Sequence, residues 1–184
     1  MQDISLHLLD IVQNSITANA NLIEIKIIED SCNDILSVSI SDNGRGMDES
    51  TLKMVVDPFY TTRTTRKVGL GLPLFKEAAE SCDGSFTIKS QPGNGTKVRA
   101  DFRLSHIDRP PLGNIDETLV TLVLCNPNID FVYTHSTCID KFEFDTRIIK
   151  TTLGNVRIDE PEVIKWIGSY IKEGLNEIHG GVIT

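Results

Sequence analysis

Absences narrow the field first. The chain has no excess of positive charge: 18 Lys and Arg face 26 Asp and Glu, a formal net charge of −8. Nonspecific nucleic-acid binding needs a basic surface, so nucleic acid is not an expected partner. No run of apolar residues approaches the roughly 18 that cross a bilayer, so no membrane span is expected. The N-terminal stretch "MQDISLHLLD" lacks the basic region of a secretory signal, which points to the cytoplasm. There is no CxxC pair. Cys32, Cys82, Cys125 and Cys138 lie far apart, as expected of reduced, structural thiols in a cytoplasmic chain. "HSTC" (135–138) is only a weak metal signal, because no second cluster of Cys or His accompanies it. Repeats and low-complexity tracts are absent. What remains is globular: 184 residues, 40% hydrophobic and 24% charged, enough for one domain or one plus a small appendage.

The periodicity predicts an order of elements. Residues 3–19 carry Leu6, Leu9, Val12 and Ile16 near helical spacing. "LIEIKII" (22–28) and "ILSVSIS" (35–41) alternate apolar and polar around the turn "SCND", which predicts a hairpin. "MDESTLKMVV" (47–56) reads as a short helix with Asp48 near its cap. Residues 57–68 show no period and read as a loop. Residues 70–82 read as a helix, with Pro73 in the first turn. "SFTIKS" and "TKVRADFRL" pair around "QPGNG". This order predicts an α+β, two-layer sandwich: a mainly antiparallel sheet with helices on one face. Pro110, Pro111 and Gly113 mark a linker over 105–115. Beyond it, 116–184 reads as a small α/β extension: strands at "LVTLVLC" (119–125) and "FVYTHS" (131–136), a third at "KFEFDT", then two helices. The last starts at Pro161, turns Val163, Ile164, Ile167, Tyr170 and Ile171 inward, and ends before Gly180-Gly181.

Four short stretches carry candidate chemistry. Asp10 and Asn14, one turn apart, share a helix face. They are either solvated polar positions or site residues, the amide oxygen suiting Mg²⁺ and the carboxylate suiting a general base. "SDNGRGM" (41–47) is either an Asx turn after a strand or a close approach of backbone to ligand, with Asp42 accepting from an exocyclic amine. "VGLGLPLF" (68–75) places Gly69 and Gly71 before a helix, where bare amides bind phosphate. It is neither a dinucleotide fingerprint nor a P-loop. Between these two, Arg63, Arg66 and Lys67 form either a solvated loop or a lid bringing positive charge to phosphates.

Taken together and in order, these stretches resemble the nucleotide-binding domain of the GHKL superfamily, which includes DNA gyrase, MutL and the histidine kinases. "DIVQNSITANA" resembles the N box, "DNGRGM" the G1 box, "DPFYTTR" the F box and "VGLGLPL" the G2 box. "GNGTKVRADFRL" resembles the closing strand. The resemblance covers residues 5–104 and implies a Bergerat-type sandwich holding ATP between helices and sheet. It implies that Asn14 binds Mg²⁺, that Asp42 meets the adenine amino group with Thr96 beside it, and that Gly44, Gly46 and Met47 shape the adenine pocket. Gly69, Leu70, Gly71 and Leu72 would cover the phosphates, with Arg63 and Lys67 above them.

Two departures refine the expectation. Asp10 stands where gyrase and MutL carry a catalytic Glu and where many histidine kinases carry Asn. An acid there suits ATP hydrolysis, or phosphorylation of a hydroxyl as in anti-sigma serine kinases. Ala18 replaces the basic residue that histidine kinases often place one turn after Asn. A histidine kinase also needs a dimerising helical hairpin with a phosphoacceptor histidine upstream of this domain, and none is expected within residues 1–184. His7, three residues before Asp10, is either a partner for that carboxylate or a helix-surface imidazole. The expectation is an ATP-binding domain over 1–104, a linker over 105–115 and an acidic extension over 116–184 that serves as a partner or dimer surface. Its function would be an Mg-ATP-dependent regulator that transfers phosphate to, or controls, a separate protein. The alternatives are an ATP-hydrolysing switch that dimerises, and a non-catalytic ATP sensor.

Overall fold

The computed structural model describes residues 3–55 and 71–180. The F box, Arg63, Arg66, Lys67, Gly69 and Leu70 lie outside the described residues. Six strands form one mixed sheet in the order β3-β4-β2-β1-β5-β6. They are β1 (Leu22–Asp30), β2 (Ile35–Asp42), β3 (Ser85–Ser90), β4 (Thr96–Arg103), β5 (Asp130–Ser136) and β6 (Lys141–Asp145). All neighbouring pairs are antiparallel except β1 and β5, which run parallel with Ile23 opposite Phe131 and Ile27 opposite His135. The period of two explains the layering. Ile23, Ile25 and Ile27 bury one face of β1, while Glu24 and Lys26 stay exposed on the other. Val38, Ile40, Val98, Ala100, Phe102, Phe131, Tyr133 and Phe144 extend the buried face.

Six helices complete the fold among the described residues: α1 (Ile4–Thr17), α2 (Glu49–Val55), α3 (Gly71–Glu80), α4 (Ile115–Cys125), α5 (Thr146–Leu153) and α6 (Pro161–Ile178). Helix α1 begins at Asp3, whose carboxylate accepts from the Leu6 amide at 3.0 Å. Its first free amides, those of Ile4 and Ser5, donate to the carbonyls of Pro111 and Leu112, both at 2.9 Å. The Pro-rich segment thus caps α1 from outside. Helix α3 is fastened by Phe75, fully buried with ring centroids 5.7 Å from Phe102 and 5.2 Å from His7. Asp48 caps α2 through the Thr51 amide at 2.7 Å.

The sheet with its covering helices is the α+β sandwich that the periodicity predicts. One expected strand is wrong: 119–125 belongs to helix α4. Its buried positions, Ile115, Leu119, Leu122 and Val123, follow helical spacing, and Asp116 and Glu117 sit in the first turn, where negative charge is favoured. Strands β5 and β6 fall where expected. Tyr170 remains 39% exposed rather than inward. Of the four cysteines only Cys82 is buried; Cys32, Cys125 and Cys138 are exposed, so the structural reading holds for one thiol alone. No described helix is long and apolar enough to cross a membrane.

Candidate nucleotide site

A cavity of about 400 Å³ opens between α1, the end of β2 and the first turn of α3. That volume lies within the range of small-molecule sites. Asp42 ends β2 at this cavity. Its Oδ1 accepts from the amides of Gly44 (2.9 Å) and Thr96 (3.3 Å), and its Oδ2 accepts from the Ser15 hydroxyl (2.8 Å). Three donors from three elements therefore fix one carboxylate in place. Asn14 lines the same cavity one residue before Ser15.

The turn after β2 is shaped by glycine. Gly46 has φ +65°, and a Cβ there would stand 2.0 Å from the Gln91 carbonyl oxygen. Gly95 has φ +79°, and its Cβ would reach 1.8 Å from the Asp42 carbonyl oxygen. Any side chain at either position would push the turn away from the strand that closes the pocket. The Met47 amide donates to Ser90 Oγ at 2.8 Å, and Ser90 Oγ lies 2.8 Å from Thr96 Oγ1. Asn43 ties the same turn to the start of β1, its Oδ1 accepting from the amides of Asn21 and Leu22, both at 3.0 Å.

Of the expected site residues, Asn14, Asp42, Gly46, Met47, Leu72 and Thr96 line the cavity. Gly44 is buried directly behind it, where a Cβ would meet the Ala18 carbonyl oxygen at 2.8 Å. Gly71 opens α3 against Asp10: a Cβ on Gly71 would lie 2.9 Å from Asp10 Cβ and 3.4 Å from its Oδ2. The exposed carboxylate of Asp10 is thus set at the N-terminal end of α3. His7 takes neither of its expected roles. It is 4% exposed, packs at a tilt against the Phe75 ring, and its Nδ1 has no hydrogen-bond partner. Burial pushes its pKa below the ordinary value, against the pull of Asp10 and then Asp3.

The sequence reading passed over Ser15, Arg45, Asp48, Thr51 and Pro92, which also line or orient the site. Ser15 was readable in principle, since it sits beside Asn14 on a helix whose other polar residues were singled out. Asp48 is held below the usual carboxylate range, first by the Thr51 amide and then by the Ser50 hydroxyl. A larger cavity of about 760 Å³ lies between α5, α6 and the β6 edge. Its lining is mostly apolar, and two of its charges neutralise each other, Asp145 and Arg147 pairing at 2.7 Å. The fixed carboxylate, carboxamide and helix terminus converge only at the smaller cavity.

Residues 2–106 match the family model described as histidine kinase-, DNA gyrase B- and HSP90-like ATPase. The sensor protein kinase FleS of Pseudomonas aeruginosa is 39% identical over 109 residues, 59% of this chain and 26% of that protein. The sensor histidine kinase YvrG of Bacillus subtilis is 29% identical over 98 residues, 51% of this chain and 17% of that protein. The chain therefore spans about a quarter or less of the length of these relatives. Among solved structures, the N-terminal domain of a DNA repair protein superimposes with a TM-score of 0.51 at 19% identity, covering 78% of this chain and 52% of the other, a likeness of fold. The match extends over more than half of the sequence, and the chain belongs to the histidine kinase-, DNA gyrase B- and HSP90-like ATPase family.

Proposed function

We propose that this chain binds Mg-ATP in the cavity beneath α1 and uses it to phosphorylate, or to control, a separate protein. The observation that carries the reading is the Asp42 carboxylate, fixed by Ser15, Gly44 and Thr96 and facing an opening of nucleotide size. An acceptor-only group held in this way suits the exocyclic amine of adenine and opposes the carbonyl of guanine. The hard oxygen of Asn14, one residue before Ser15, fits Mg²⁺, which takes oxygen donors and keeps several waters. The N-terminal turn of α3 supplies amides and a positive dipole end for phosphate.

Asp10 lies against Gly71 at that helix terminus, which supports a role for it at the γ-phosphate. As an attacking oxygen bonds to the γ-phosphorus and the bond to the β–γ bridging oxygen breaks, Asp10 takes the proton of the attacking group. That group is a water in hydrolysis or a hydroxyl of a partner in transfer. The likeness to sensor kinases supports a separate protein as the target of control. A second reading, an ATP-driven switch that dimerises, is favoured by one contact: the Pro111 and Leu112 carbonyls hold the start of α1, so movement of α1 reaches the C-terminal segment.

Incubation with γ-labelled ATP and lysate separates the two. A labelled partner supports transfer; steady phosphate release without a labelled protein supports the switch. Asp10→Asn abolishes either product while ATP affinity is kept, and unchanged turnover would remove Asp10 from the chemistry.

A further inference from the structure

The isolated "HSTC" stretch gains company in the fold. Strands β1 and β5 run parallel and end at the same corner, where the last turn of α6 also arrives. There Glu29 Oε1 lies 2.7 Å from His135 Nε2 and 2.8 Å from His179 Nε2. The outer nitrogens are anchored too. His135 Nδ1 lies 2.8 Å from the Tyr133 hydroxyl, and His179 Nδ1 lies 2.7 Å from the Leu175 carbonyl oxygen.

A carbonyl only accepts, so Nδ1 of His179 carries a proton. A neutral ring would then aim the lone pair of Nε2 at the carboxylate of Glu29. Something positive has to lie between them, either a second proton or a metal ion. Histidines that ligate metals characteristically donate the far N–H to a carbonyl, carboxylate or other acceptor, which fixes the ring with its free nitrogen forward. His179 has that arrangement, His135 can adopt it with the Tyr133 hydroxyl as acceptor, and both Nε2 atoms point at the same oxygen.

We propose that Glu29, His135 and His179 form a site for a borderline divalent transition metal of the zinc class. Its ligands are the two Nε2 atoms and a Glu29 carboxylate oxygen. Imidazole and carboxylate donors suit such ions, and three protein ligands leave the fourth position of a tetrahedron to water. His135 is buried at 1% exposure, whereas the His179 side chain is 38% exposed, so the site has a firm floor and an open side. Metal entry releases the proton between His179 and Glu29 to solvent, leaves the proton of His135 on Nδ1 with the Tyr133 hydroxyl as acceptor, and pins the end of α6 to the sheet. A neighbouring group of Asp30, Cys32 and Cys138, with the two sulfurs 3.9 Å apart, is exposed and offers a competing thiolate pair. This proposal is independent of the nucleotide reading.

Titration of the chelator-treated full chain with Co²⁺, followed by absorbance, and with Zn²⁺, followed by calorimetry, tests it. One equivalent should bind, with visible bands of tetrahedral Co²⁺ and without the ultraviolet thiolate-to-cobalt band. His179→Gln, at an exposed helix end, and Tyr133→Phe should each weaken binding about 10–100-fold. The double variant Cys32→Ser, Cys138→Ser should bind as the parent does, and circular dichroism should show all variants folded. Three results would overturn the proposal. They are no binding by the parent, affinity unmoved by His179→Gln, or a thiolate band with loss of binding in the cysteine variant.

Discussion

At the scale of single residues, the site depends on where polar atoms find partners. Asp42 has three donors, two of them distant in sequence, whereas His7 has an orphaned Nδ1 behind α3. Asp42 was legible because it closes an alternating strand and opens a glycine turn. Its contact with Ser15 was not, because it joins positions 27 apart in the sequence, although Ser15 itself stands beside Asn14. His7 yields a prediction with a definite sign. Its pKa is lowered in the folded state from the ordinary 6.5, so the unfolded chain binds more protons in the window just below 6.5. Stability is therefore full above about pH 6.5 and declines as pH falls through that value towards the folded pKa. Denaturant midpoints measured from pH 5 to 8 should show this slope, and His7→Leu should flatten it.

At the scale of elements, the four strands of the N-terminal half were readable because apolar and polar residues alternate along each. Helix α4 was misread because "LVTLVLC" is a short apolar run, rich in β-branched residues, which periodicity alone does not assign. The helix declares itself only when the window reaches back to Ile115 and to the acidic first turn at Asp116 and Glu117. Helix α3 is the element on which the proposed phosphate side of the site rests. Phe75 is its anchor, packed on Phe102 and, edge to face, on Phe86 at 6.3 Å. Phe75→Ala should cost about 3–5 kcal/mol of stability, as for other buried aromatic truncations. Chemical denaturation measures that loss. Loosened α3 should also lower ATP affinity, read by calorimetry under conditions where the variant remains folded.

At the scale of the whole molecule, residues beyond 115 add two strands to the sheet that carries Asp42, a continuation no local pattern predicts. The parallel register of β1 and β5 makes the C-terminal segment a structural neighbour of the strand next to the site. Folding should therefore be one cooperative event. The single tryptophan, Trp166, lies on α6 and reports that segment alone. Its fluorescence transition should coincide with the loss of circular dichroism, and ATP should move both to the same higher midpoint, as expected when ligand binds only the native state. Two separated transitions, with only one shifted by ATP, would show the segments to be independent. The central claim, that the fixed carboxylate of Asp42 reads adenine in this cavity, is tested most directly by calorimetric titration with ATP and GTP. The parent should bind ATP in preference to GTP. Asp42→Asn should lose about 1.5–3 kcal/mol of ATP binding, the value of a hydrogen bond to a charged acceptor. Equal binding of ATP and GTP by the parent, or an Asp42→Asn variant with undiminished ATP affinity, would contradict it.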